Sequence, residues 1–218
     1  EHVTVALSGD GGDELFAGYN RYVVANRFWE LAKYMPNWIK SKAADLIIGF
    51  SPESVGKFYQ KIEPIFPSKW KVSMPVEKYH KLARALRNSS SPQDIYNRVV
   101  SIIHAPEDLL TSGRELPTKF NDVGLWQEFD DIVLTMIYLD LITYHPDDIL
   151  QKVDRASMAV SLETRIPFLD HEIIEFVMSL PIEFKLRNGR GKHLLRKVLY
   201  RHVPQEIMER PKMGFTVP

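Results

Sequence analysis

The chain contains no cysteine, which excludes disulfides, a thiolate zinc site and a cysteine nucleophile within it. It also lacks net charge, because 28 Lys and Arg balance 28 Asp and Glu. No long-range pull toward nucleic acid or an anionic membrane is therefore indicated. No apolar run approaches the roughly 18–20 residues that a membrane span needs, and no signal peptide is visible. The seven histidines are scattered. None has the His-Glu-x-x-His spacing of a zinc protease, and no Ser-His-Asp case can be made. Internal repeats and low-complexity segments are missing as well. What is present is ordinary for a soluble globular chain of 218 residues, 44% hydrophobic and 26% charged. That length suits one domain or one large piece of a domain, and a cytoplasmic setting is the expectation.

The organising stretch is the opening one. Val3-Thr4-Val5-Ala6-Leu7 reads as a short buried strand. Ser8-Gly9-Asp10-Gly11-Gly12-Asp13-Glu14 follows as a glycine-rich acidic loop, and a helix begins near Glu14 with Gly12 or Asp13 as its cap. Glycines let the chain turn at positive φ and let a ligand approach the backbone. The loop lacks the Gly-Lys-Ser/Thr ending of a Walker loop and is not Gly-x-Gly-x-x-Gly. Read from its residues alone, it leaves both a capped turn and a ligand loop open. A lone strand needs neighbours, so the chain reads as a piece of a longer protein whose other strands lie outside it.

Beyond the loop, apolar spacing predicts helix after helix. The first covers 14–33 and the second 37–49, and a third starts at Ser51-Pro52-Glu53. The proline-bearing stretch 64–75 reads as irregular. Helices over 76–86 and 94–104 and a turn over 106–111 follow. The longest periodic run, 121–145, carries Val123, Trp126, Phe129, Val133, Met136 and Ile137 and is expected to be a central buried helix that Pro146 ends. Helices over 147–162, 171–179 capped by Asp170, 192–202 and 204–209 complete a mainly α chain of one strand and about ten helices.

Three clusters offer chemistry. Asp10, Asp13 and Glu14 can hold Mg²⁺, orient an amine or accept its proton, although capping explains Asp13 and Glu14 better than it explains Asp10. Lys185, Arg187, Arg190, Lys192, Arg196 and Lys197 form either a phosphate site or a solvated basic face. Asp154, Arg155 and Glu163 punctuate an apolar helix and, if buried, must pair with one another. His104, His145 and His202 each close an apolar helix.

Several strings then occur in a telling order: 7–19 as Leu-Ser-Gly-Asp-Gly-Gly-Asp-Glu-Leu-Phe-Ala-Gly-Tyr, 152–158 as Lys-Val-Asp-Arg-Ala-Ser-Met, 163–170 as Glu-Thr-Arg-Ile-Pro-Phe-Leu-Asp, Gly191-Lys192, and 210–215 as Arg-Pro-Lys-Met-Gly-Phe. As a set they resemble the C-terminal synthetase domain of the glutamine-hydrolysing asparagine synthetase family. The resemblance spans 3–218, although about 33–122 carries none of the motifs. It implies the C-terminal part of an α/β adenine-nucleotide α-hydrolase-like (PP-loop ATP pyrophosphatase) domain. It also implies a reaction in which ATP adenylates the aspartate side chain and ammonia from a glutaminase domain attacks the acyl-AMP. ATP and Mg²⁺ are the implied cofactors.

By the same resemblance, Asp10 supports adenylate formation and receives the amine, and Lys192 neutralises charge on the phosphates and the tetrahedral intermediate. Ser8, Gly9, Gly11 and Asp13 fall at nucleotide-contacting positions. No metal ligand is assigned within 1–218. The family's Ser-Gly-Gly-x-Asp-Ser pyrophosphate loop, its acidic metal-binding stretch and the glutaminase cysteine would all precede residue 1, so residues 1–218 alone are expected to bind ATP poorly and to turn over nothing. Asp10 stands where the best-known members carry Glu. Relatives that amidate sugars or peptides or close a β-lactam ring remain alternatives, as does a silent helical module. A homodimer is left open, and neither nucleic acid nor membrane is an expected partner.

Overall fold

A computed structural model describes residues 3–51, 53–54, 57, 61, 83–87, 89–101, 103, 109–113 and 116–209. The expectations for 64–75 and for the string 210–215, and most of those for 51–61, 76–86 and 104–111 with His104, lie outside the described residues.

The opening string forms strand β1 (Val5–Leu7). It is not buried, for Val5 is 46% and Leu7 77% exposed. Among the described residues its one partner is β2 (Glu163–Arg165), parallel, in the register Val5↔Glu163, Ala6↔Thr164, Leu7↔Arg165. Apolar composition signals a strand but not how many neighbours cover it. A parallel pair needs a long crossover, and here the helices between residues 8 and 162 supply it. No strand was expected at β2, which begins just past the helix expected over 147–162. At three residues, with charged Glu163 and Arg165 flanking Thr164, it offers no hydrophobic alternation to read.

The expected helix over 14–33 is two helices, α1 (Gly12–Leu15) and α2 (Asn20–Ala32). Between them Ala17 sits at φ 54°, and the Gly18 N–H returns to the Asp13 carbonyl at 2.7 Å. The break is a tertiary matter: a Cβ on Gly18 would collide with the Asp13 carboxylate and the Lys192 stem. α3 (Asn37–Gly49) lies where it was expected. α4 (Pro92–Val100) begins at a capping box between Ser91 and Asp94 and stops short of 104, where Ser101 turns extended.

The central run 121–145 also divides, into α5 (Val123–Gln127) and α6 (Ile132–Ile142). Asp131 starts α6 by accepting the Val133 and Leu134 N–H groups at 2.7 and 3.0 Å. A helical period runs through such a break unseen, because the apolar face is continued on the far side. α6 is the core of the described region, with Val133, Met136, Ile137 and Leu139 at 2% exposure or less. α2 packs on both α4 and α6, and Tyr22, Ala25, Ile95 and Tyr96 fill the space between them.

Pro146 does not end the helical path. The break falls at Thr143 (φ −131°, ψ −81°), and a wide turn over His145–Leu150 carries Pro146 in its first turn, where a missing N–H costs little. This turn runs into α7 (Gln151–Met158), which ends four residues before 162, where Ser161 at φ 56° swings the chain into β2. Asp154, Arg155 and Glu163 are exposed rather than buried. Arg165 pairs with Glu163 at 2.6 Å on the surface. Met158 and Val160 beside it are 52% and 74% exposed as well.

α8 (His171–Ser179) starts at Asp170, whose carboxylate accepts the Glu172 N–H at 2.9 Å. The short α9 (Ile182–Lys185) follows Pro181. α10 (His193–Leu199) is shorter than the expected 192–202, and α11 (Gln205–Met208) follows Pro204. Among the described residues no helix is long and apolar enough to cross a membrane.

Candidate functional site

The loop after β1 sits against the turn that precedes α10. Ser8 Oγ donates to Asp10 Oδ2, folding the two side chains onto each other. Gly11 caps α1 at φ 81°, and a Cβ there would press on Leu169 at 3.0 Å, so the fold itself calls for glycine at this position. Gly9 differs. A Cβ on it would meet nothing within 4 Å, so nothing among the described residues explains glycine there.

Neither Asp13 nor Glu14 caps the helix, because α1 has no side-chain cap. Asp13 reaches instead to Lys192, with Oδ2 and Nζ 2.9 Å apart across 179 positions of sequence. Lys192 is itself held at φ 59° and donates its backbone N–H to the Phe16 carbonyl at 2.6 Å. Gly191 lets this happen, since a Cβ there would strike the Ala17 carbonyl. The tight turn Arg187–Arg190, closed by paired backbone bonds of 3.0 and 2.9 Å, thus carries Lys192 onto the break between α1 and α2. The structure brings Ser8 to Asp10 and Asp13 to Lys192.

The other cations do not make one basic face. Lys185 is fully buried with no hydrogen-bond partner for Nζ among the described residues, and burial pushes its ammonium down to about 8. Arg190 and Arg196 both bond to Glu209, as does the Tyr200 hydroxyl. The Tyr200 hydrogen bond, joined by the Arg196 charge, holds the Glu209 carboxyl below the usual carboxylate range. Arg187 and Lys197 are exposed.

Sequence reasoning missed a buried polar layer behind the loop. Glu14 is 2% and His145 1% exposed. His145 Nδ1 lies 3.2 Å from Glu14 Oε1, at an angle short of a hydrogen bond. His145 therefore faces a carboxylate instead of closing a helix end. Tyr19 OH donates to Glu14 Oε1 at 2.6 Å. Burial raises the Glu14 carboxyl, but the contact with His145 and the Tyr19 hydrogen bond outweigh it and leave the carboxyl below its ordinary value. Arg21 lies over the rings of Tyr19 and Tyr144, at 4.2 and 4.5 Å from their centroids, and pairs with Asp140 at 2.6 Å. Tyr22 OH donates to the same Asp140 oxygen at 2.5 Å. One signal could have pointed here: an Asp inside the most apolar of the described helices must find a partner. Among the described residues no three His, Asp or Glu side chains converge as a metal site.

The asparagine synthase family model matches residues 1–218, the whole chain. The chain belongs to the asparagine synthase family. Over 223 residues, all of this chain, it is 31% identical to asparagine synthetase [glutamine-hydrolyzing] 1 of Bacillus subtilis and covers 31% of that relative. With asparagine synthetase [glutamine-hydrolyzing] 3 of the same organism the identity is 39% over 80 residues, 37% of this chain and 13% of the relative. The human asparagine synthetase [glutamine-hydrolyzing] is 43% identical over 68 residues, 30% of this chain and 12% of the relative. The chain spans about a third of the length of the curated relatives that match all of it. No solved structure matches it. As an asparagine synthase family chain it carries a mostly helical body on a small parallel sheet, with the glycine-rich loop at the carboxyl end of β1.

Proposed function

We propose that this chain forms part of a glutamine-hydrolysing asparagine synthetase, an ATP-dependent carbon–nitrogen ligase. In that reading the aspartate side-chain carboxylate attacks the α-phosphorus of ATP and pyrophosphate leaves. Ammonia then attacks the acyl carbon of β-aspartyl-AMP, and AMP leaves with the carboxyl oxygen. Asp10 takes the proton that the attacking amine must lose. Lys192 stabilises charge on the phosphates and on the tetrahedral intermediate. Ser8, Gly9 and Gly11 present backbone to the nucleotide, and Asp13 holds Lys192 in place. Ammonia comes from a glutaminase segment outside this chain, and the sheet is completed by strands outside it, in a PP-loop α/β domain.

The observation that carries the reading is the Asp13–Lys192 pair. It puts an ammonium, with about a third of its side chain in solvent, against the loop that follows β1. In α/β folds ligands gather outside the carboxyl ends of strands. The open space at Gly9 fits a nucleotide lying against the backbone. Mg²⁺ would arrive with the nucleotide, but the described residues offer it no three-ligand site, so no step is assigned to it.

The test is AMP formation by the full-length protein with ATP and glutamine and a panel of carboxylates. Aspartate-dependent AMP release is expected, with Lys192→Ala lowering it by roughly a hundredfold or more. AMP release that follows another acid of the panel, or that ignores Lys192, overturns the assignment.

A further inference from the structure

α1 is only four residues long. A helix that short does not hold itself, since nucleating a turn is unfavourable and most helical stability comes from packing. Its cap residue, Gly11, offers no side chain. Beyond the Lys192 N–H on the Phe16 carbonyl at its far end, what its own side chains grip therefore sets where α1 lies. Leu15 is fully buried and anchors one side of it. Apolar burial is non-directional, however, and does not by itself define how the turn is rotated about its axis.

Two consecutive carboxylates leave this turn in different directions. Asp13 reaches outward to Lys192 at 2.9 Å, with about a third of each side chain in solvent. Glu14 reaches inward, where Tyr19 OH donates to it at 2.6 Å and His145 Nδ1 faces it at 3.2 Å. Both inward partners are themselves fixed. The Tyr19 ring packs edge-on against Tyr22 and Tyr144 and lies under the Arg21 guanidinium. His145 is 1% exposed at the head of the wide turn that follows α6. A carboxylate in such a place is expensive to desolvate, and an apolar residue of the same size would fill the volume more cheaply. What only the carboxylate supplies is direction. The Asp13 contact alone does not fix the turn, because both partners of that pair end on flexible, partly solvated side chains.

We propose that Glu14 is a positioning residue for the Asp13–Lys192 pair: gripped from behind by Tyr19 and His145, it sets the rotation of α1, and with it the place of the Lys192 ammonium. Glu14 touches no substrate in this assignment. The inference deepens the adenylation reading above and rests on it for its catalytic consequence, but not for its geometric one.

The experiment uses the full-length protein with Glu14→Gln, which keeps shape and removes charge, and with Tyr19→Phe, which removes one hydroxyl. The first readout needs no turnover: the rate at which Lys192 is acylated by an N-hydroxysuccinimide acetate, mapped by mass spectrometry. Glu14→Gln is expected to speed Lys192 acylation severalfold, toward the rate in Asp13→Asn. The double variant is expected to react no faster than Asp13→Asn alone, because both changes act through the same pair. The second readout is ATP–pyrophosphate exchange with aspartate. Here kcat is expected to fall roughly 10- to 100-fold with KM for ATP near its wild-type value, the size of effect that misplacing a group by an ångström produces. Should Glu14→Gln fail to fold, Tyr19→Phe carries the same expectations at smaller size. Lys192 acylation at the wild-type rate in a folded variant overturns the proposal. Faster acylation in a protein whose wild type shows no exchange leaves the positioning role standing and removes the adenylation reading instead.

Discussion

Asp13 and Lys192 meet at 2.9 Å with about a third of each side chain in solvent, whereas Arg21 and Asp140 meet at 2.6 Å with 1% of the aspartate exposed. The first pair joins positions 179 residues apart and faces the loop after β1. The second ties α2 to α6 inside the core, with Tyr22 bonded to the same oxygen. Solvent screens the outer pair and makes its energy small. That leaves its charges free to respond to a ligand. In the inner pair Asp140 has no solvent to fall back on, although Arg21 keeps 22% of its side chain exposed. Taking away one partner strands the other, and a stranded buried charge is among the costliest defects a fold can carry.

The sharpest way to break this contrast is Asp140→Ala. It leaves Arg21 without its carboxylate and Tyr22 OH without its acceptor, and a loss of about 3–5 kcal/mol is expected, read from the urea midpoint. A loss below about 1 kcal/mol would mean that the inner pair is no more structural than the outer one.

Lys185 sharpens the same point, since among the described residues it is a buried charge with no hydrogen-bond partner. Its ammonium is pushed down to about 8, so the unfolded chain binds that proton more tightly than the folded one does. Wild-type stability therefore rises with pH from about 8 into the ordinary lysine range. A fall in stability over that window would contradict the assignment. Lys185→Met is expected to stabilise the protein at pH 7 by up to about 3 kcal/mol, the worth of a shift of that size. The gain should fade as pH climbs through the same window.

Glu14 predicts the acid side. Its carboxyl lies below the ordinary glutamate value, so the stability it contributes is fully present above that value. That stability is lost as pH falls through the lower, folded-state value. Glu14→Gln should flatten this part of the acid-denaturation profile, and an unchanged profile would show that the inward contacts hold no charge.

The smallest stability effect is expected for Asp13→Asn, under about 1 kcal/mol, because the pair it breaks has about a third of each side chain in water. Its effect on AMP formation should be much larger than its effect on the melting temperature. Equal, small changes in both would demote the outer pair to a surface contact.

Much of this arrangement was legible from local chemistry. The glycine-rich loop after a strand, α3 over Asn37–Gly49 and the Asp170 cap each depend on neighbours a few residues away. Their signals, a capping carboxylate or a helical period, are short-range by nature. The breaks at Ala17 and at 128–131 were not legible. Helical periodicity continues across both, and what interrupts the first is the approach of Gly191 and Lys192 from the far end of the chain. β2 was missed because three residues carry no readable alternation. Asp13 was expected at a nucleotide-contacting position, and its ion pair with Lys192 was not foreseen, because the two residues lie 179 positions apart.

From its residues alone, then, the chain determined which groups it has to work with: no thiol, balanced charge, an acidic glycine loop, and a lysine next to a glycine late in the sequence. Tertiary structure alone decided which of those charges face water and which are shut away, and which carboxylate meets which cation. The reason is physical. Residue type sets a side chain's charge and reach, but the free energy of that charge depends on the solvent and partners around it, and these come from chain segments more than a hundred residues apart.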